Sequence, residues 1–200
     1  MIILNESLRK CIEVLETRYS GLWGRIVRGD SIELVMEHPE DALEVALILK
    51  TWVKAYGPKT KSDQSKVFEK YGVRLARGIG EMKTVDRNLD MMDGDAIYRS
   101  GRSLDKLKGW SKYSMTISMA DEARESSIEV MLLLVNQLLN GATARKCETL
   151  CQRILSGDAQ AAATRMGITV SGLNQTMNVV GWTAIEQMLI YYRKTISEIC

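Results

Sequence analysis

Residues 158–182, DAQAAATRMGITVSGLNQTMNVVGW, constrain this chain more than any other segment. Their spacing predicts two short helices that cross at a tight turn. Ala163 stands where the first helix must be small, because a second helix passes over it. Four residues later Gly167 supplies a residue that tolerates positive φ. Thr169 is placed to cap the second helix. Ala162, Met166, Ile168 and Leu173 are expected between the helices, which leaves Ser171, Asn174, Gln175 and Asn178 facing outward. This is the pattern of a helix-turn-helix, in which the second helix enters the major groove of DNA and its side chains read base edges. Hairpins of this size also occur as plain packing units, and the pattern alone does not separate the two. The reading helix carries no Lys or Arg, although DNA affinity comes largely from neutralising phosphates. The charge has to come from Arg145, Lys146, Arg153, Arg165, Arg193 and Lys194 on neighbouring segments. Their alternative reading is a solvated helix face.

With 200 residues, of which 46% are hydrophobic, the chain can bury one large core or two small ones. A formal net charge of +2 neither requires nor excludes nucleic acid. No apolar run reaches membrane-spanning length and no leader pattern opens the chain, so no membrane partner is expected and a cytoplasmic location fits. The four cysteines, Cys11, Cys147, Cys151 and Cys200, are few and irregularly spaced for a disulfide framework. Cys147 and Cys151 share a helix face without a second pair of zinc ligands, so buried reduced thiols are the expectation. The single histidine, His38, precedes Pro39 at a helix start and has no neighbour that would make it a general base.

Along the chain, Leu4, Leu8, Cys11 or Ile12, and Leu15 recur at helical spacing. LWGRIVRG and DSIELVME read as two strands around a Gly29-Asp30 turn. A helix is predicted from His38 to about Ala55, with proline and acids in its first turn. Residues 58–70 form a basic polar stretch with Lys59, Lys61, Lys66 and Lys70, read as a solvated loop and short helix rather than an anion site. GVRLARGIGE reads as a strand ending in Gly-x-Gly, residues 84–93 as a polar loop, DGDAIYRSGRSLDKLK as a helix and YSMTISM as a strand. After Asp121 everything is helical: a long helix to Gly141, a helix capped by Thr143, the helix pair, and a last helix from Trp182. The predicted fold class is α+β, with an α/β domain over 1–120 and a helical domain over 121–200.

The order helix, strand-hairpin-strand, helix, strand, helix, strand is that of a ferredoxin-like unit without its opening strand. Three segments, RIVRGDSIELV, VRLARGIGE and DGDAIYRSGRSL, follow each other as in the SatD-like family, which this chain resembles over about residues 20–110. Each segment is weak alone; the ordered set followed by a helix-turn-helix is more specific. The resemblance implies a fold like the catalytic domain of class III nucleotidyl cyclases, one antiparallel sheet with its helices on one face, and a C-terminal helix-turn-helix. It also implies a nucleotide or anion pocket at Asp30, Gly78, Gly80 and Arg102, with Asp30 as the one residue matched to a metal ligand and a divalent metal or nucleotide as the only cofactors in view. The match is incomplete. The second metal-binding aspartate would lie on a strand ahead of Met1, and Tyr98 stands where an Asn is expected. A single carboxylate cannot clamp two divalent ions about 4 Å apart, so cyclase chemistry is disfavoured. The plain alternative is that Gly29-Asp30 makes a turn, Gly78 and Gly80 allow close packing, and Arg99 and Arg102 pair with acids such as Asp93, Asp95 or Asp105.

Three functions stay in contention. The first is a homodimeric regulator that binds duplex DNA through Arg165, Thr169, Ser171, Asn174, Gln175 and Asn178, with the N-terminal domain sensing or dimerising. The second is a nucleotide-handling enzyme, and the third is a protein-interaction module.

Overall fold

The computed structural model describes residues 2–28, 31–57, 72–88, 91–107 and 114–199. Contacts group them into two units, 1–73 with 141–200, and 74–140. The boundary expected near residue 120 therefore falls inside the second unit. The Gly29-Asp30 turn and the basic stretch 58–70 lie outside the described residues.

In the first unit, α1 (Ile2–Arg18) and α2 (Ala42–Tyr56) pack through the apolar positions that their periodicity marks. Leu8, Cys11 and Leu15 on α1, and Leu43, Leu47 and Ile48 on α2, are almost wholly buried. Each such aliphatic side chain gains about 1.5–3 kcal/mol on leaving water. Pro39–Asp41 form a single 3-10 turn ahead of α2, so the helix begins later than predicted at His38. Between α1 and α2, β1 (Trp23–Arg28) and β2 (Ser31–Val35) pair antiparallel, with Arg25 opposite Glu33 and their side chains 2.7 Å apart. The α2 helix also packs against α5 (Ala144–Ser156), which brings the N-terminal and C-terminal segments together. Lys50 is fully buried on α2, and burial together with the nearby Lys54 charge pushes its ammonium down to about 7. Cys11, Cys147 and Cys151 are buried free thiols, and burial pushes each one up, away from the reactive thiolate.

One ionic cluster crosses this packing. Glu44, on α2 and 7% exposed, accepts from Tyr19 Oη at 2.5 Å, from Arg18 Nη2 at 3.4 Å and from Arg193 Nη2 at 2.5 Å. Arg193 belongs to α8 (Trp182–Ser197) and also bonds Asp41 at 3.1 Å. Arg18 reaches the carbonyls of Leu155 at 2.8 Å and Ile154 at 3.1 Å, and so satisfies the C-terminal end of α5. Tyr192 of α8 donates to the Pro39 carbonyl at 3.2 Å.

The second unit contains β3 (Leu75–Gly78), β4 (Met82–Asp86), β5 (Met91–Gly94), α3 (Asp95–Lys106), β6 (Met115–Ser118) and α4 (Glu122–Asn140). The single antiparallel sheet that was expected is not formed. The described strands make three two-stranded sheets, and β3 pairs with β6 in parallel. The reason is the connection: α3 lies between them in sequence, and a helical crossover returns the chain in the same direction. The two helices expected on one sheet face consequently have no common sheet, since α2 belongs to one unit and α3 to the other. Residues 84–93, expected to be a loop, include most of the β4–β5 hairpin.

The outward edge of β6 is closed by α4. Glu129 accepts from the Ile117 N–H and Glu125 from the Met119 N–H, both at 2.7 Å. Two carboxylates one helical turn apart thus match alternate N–H groups of a strand, and they remove a free edge that would template another chain. Behind them Met115, Ile117, Ile128, Leu132 and Leu139 form a small core. On the other side α3 packs directly on β3. A side chain on Gly78 would run into the Ala96 carbonyl and the Ser100 N–H. Neither can yield, because both are helix backbone. Gly78→Ala should therefore lower the stability of the 74–140 unit by about 1–3 kcal/mol, the range for overpacking, as measured by urea unfolding. A change below about 0.5 kcal/mol would show that the approach is not tight.

Candidate nucleic-acid interface

Three consecutive helices of the C-terminal segment begin with a side-chain cap. Thr143 accepts from the Lys146 N–H at 3.3 Å to open α5. Asp158 accepts from the Ala161 N–H at 2.8 Å to open α6 (Ala159–Met166). Thr169 accepts from the Gly172 N–H at 3.1 Å to open α7 (Val170–Val180). Each cap satisfies an orphan N–H and is worth about 1 kcal/mol. Gly167 ends α6 with φ 64°, and the Ile168 N–H reaches back to the Ala163 carbonyl at 3.0 Å. The turn therefore sits at Gly167, with a helix on either side, as the spacing predicts.

Burial divides the two faces of α7. Leu173, Met177 and Val180 are buried, together with Ala162 and Ala163 of α6. Met166 and Ile168 are only half-buried, so they close the rim of this contact rather than its centre. Ser171, Asn174, Gln175 and Asn178 are exposed and, with Val170, line a shallow open concavity. The sequence reading did not include Val170; its signal was its place at the first position of α7, beside Ser171. The lining side chains that are polar are all uncharged, and hydroxyls and amides both donate and accept. They can match base edges in the major groove, where Asn and Gln pair with adenine in a bidentate way. Thr169 is exposed at the head of the same helix, with its oxygen committed to the cap.

The cations proposed to serve this face divide into two groups. Arg193 is held by Glu44 and Asp41. Arg153 stacks 4.7 Å over Trp182 and donates to the Gly157 carbonyl, while Arg145 pairs with Glu148 at 2.7 Å. Among the described residues, Lys146, Arg165 and Lys194 carry no ion-pair partner, and Arg165 lies two residues before the turn.

The second set of candidate residues does not come together as one site. Asp30 lies outside the described residues. Gly78 and Gly80 are the positions over which α3 packs: a side chain on Gly80 would meet the Asp95 carboxylate. Arg99 is bound to that same Asp95, one helical turn away. Tyr98 is exposed, and its hydrogen bond to Asp93 pushes the phenol up. Arg102 is exposed on α3. Among the described residues there is no group of three or more His, Cys, Asp or Glu that could hold a metal ion, and no helix is long and apolar enough to cross a membrane.

Comparison of the chain with protein-family models, with curated proteins and with solved structures finds no match.

Proposed function

We propose that residues 158–182 act as a helix-turn-helix and that the protein is a DNA-binding regulator working in the cytoplasm. The observation that carries this reading is the division of α7: its inner face is packed, and its outer face presents Ser171, Asn174, Gln175 and Asn178 to solvent with no described structural duty. Residues in that arrangement suit the reading of base edges. Arg165, Lys146 and Lys194 are free of an ion pair among the described residues and flank the helix pair in sequence, so they are assigned to phosphates. So few cations imply weak binding with a shallow salt dependence, about one unit of log-log slope per neutralised phosphate. In this reading the N-terminal α/β part of the chain, to about residue 120, senses or dimerises rather than catalyses. Packing accounts for Gly78 and Gly80, and an ion pair with Asp95 accounts for Arg99.

Two outcomes follow. In fluorescence anisotropy with random and upstream-promoter duplexes across a salt series, the protein binds at low salt. Arg165→Ala flattens the salt slope, and Gln175→Ala costs preferred sequences about 1–3 kcal/mol while sparing random ones. No binding at low salt, or binding indifferent to both substitutions together, contradicts the reading. Incubated with ATP or GTP and manganese, the protein gives no cyclic nucleotide by chromatography. Cyclic product that disappears in Asp30→Ala would restore the enzymatic reading.

A further inference from the structure

The last helix buries one side and leaves the other open. Ile185, Leu189, Tyr192 and Ile196 of α8 are packed into the first unit. Ile190 and Tyr191 are 53% and 44% exposed on the opposite side. Two exposed apolar residues would be unremarkable on their own. Their charged neighbours make them informative. Glu186, Ile190 and Lys194 fall at i, i+4 and i+8, so they form one line along the helix with an acid on one side of an apolar centre and a base on the other, and Glu198 follows at the helix end. Thr183, Gln187 and Ser197 beside them are exposed and uncharged.

For a pair centred on Ile190, the only apolar residue of that line, the antiparallel arrangement is the one that is self-complementary. In an antiparallel pair about a two-fold axis at Ile190, Lys194 of each copy faces Glu186 of the other, and the isoleucines meet on the axis. In a parallel pair, Lys194 faces Lys194 and Glu186 faces Glu186, and like charges across an interface are costly. The antiparallel arrangement also sets opposite ends of the two helix dipoles together. Both charges are available for it. Among the described residues Lys194 has no ion-pair partner. Glu186 lies 3.8 Å from Arg153 and keeps 43% of its side chain exposed, while that guanidinium is already engaged with Trp182 and the Gly157 carbonyl.

We propose that this face of α8 is an isologous interface with a second copy of the chain, joined through Ile190 and two reciprocal Lys194–Glu186 pairs. One helix face is smaller than the roughly 800 Å² per partner of a standard interface, so the dimer is reversible and weakened by salt. This use removes Lys194 from the charges available to phosphate. It also supplies a second reading helix, which doubles the phosphate contacts that one copy offers. That benefit rests on the DNA reading above, whereas the interface does not.

The test is sedimentation equilibrium of the full chain over a concentration and salt series, without DNA. The wild type should show a monomer–dimer equilibrium that shifts toward monomer as salt rises. Lys194→Glu alone and Glu186→Lys alone should each weaken association about tenfold or more, and the two together should restore it, because the pairs are then exchanged. Ile190→Asp, at an exposed position that leaves the core intact, should abolish it. Circular dichroism confirms that each variant is folded. A wild type that stays monomeric, a dimer indifferent to Lys194→Glu and Ile190→Asp, or a folded double variant that fails to recover overturns the interface. Anisotropy on the same samples separates the two proposals: a charge-dependent dimer that ignores DNA retires the DNA reading alone, and a monomer that binds DNA retires the interface alone.

Discussion

The carboxylate of Glu44 is the point on which the first unit depends. A charge this deeply buried is tolerable only if it is paired and hydrogen-bonded, and Arg18, Tyr19 and Arg193 supply what it needs. Each partner comes from a different place in the chain. Arg18 and Tyr19 follow one another at the end of α1, and Arg193 stands on the last helix. Arg18 reaches further, to the closing carbonyls of α5. A single acid therefore fixes α1, α2, α5 and α8 in one arrangement. Through α5 and α8, which flank it in sequence, it frames the helix pair. The same network explains why the unit is discontinuous in sequence: its two halves are tied by groups as far apart as Asp41 and Arg193.

Much of this architecture was legible, and the parts that were not have physical reasons. The helices showed themselves by apolar periodicity and by their caps. Thr143 and Thr169 cap the helices they were expected to cap, and Gly167 turns the chain where a left-handed residue was needed. Local chemistry decides such features, and local chemistry is written in neighbouring residues. The β4–β5 hairpin was missed because its strands are short and their apolar residues Val85 and Met91 face solvent, so no alternation distinguishes them from a loop. Strand pairing was misjudged for a different reason. Whether β3 meets β1 or β6, and in which direction, depends on long-range packing of α3 and on the glutamates of α4. No segment of β3 encodes that. The Glu44 cluster escaped notice for the same cause, because ion pairs between residues that distant leave no spacing to recognise.

The candidate site divides along the same line. Its outward side chains followed from helical geometry once the turn was placed, and Ser171, Asn174, Gln175 and Asn178 are all exposed as expected. The surrounding charge did not follow. Six cations lay near the helix pair in sequence, yet three are consumed by Glu44 and Asp41, by Trp182 and the Gly157 carbonyl, and by Glu148. Only tertiary structure distinguishes a basic residue that stabilises the fold from one that is open to a partner. At Gly78 and Gly80 it does so in the opposite sense: residues that suggested a phosphate cradle make room for a helix.

If Glu44 holds the first unit together, its loss should be felt at a distance. Hydrogen–deuterium exchange of Glu44→Gln, which keeps the shape and removes the charge, measures this directly. Removing one partner of a buried ionic cluster costs about 3–5 kcal/mol. The expected result is a joint loss of protection in residues 2–18, 42–56, 144–156 and 182–197, with residues 74–140 unchanged. Loss confined to α2, with α5 and α8 as protected as before, would contradict the account.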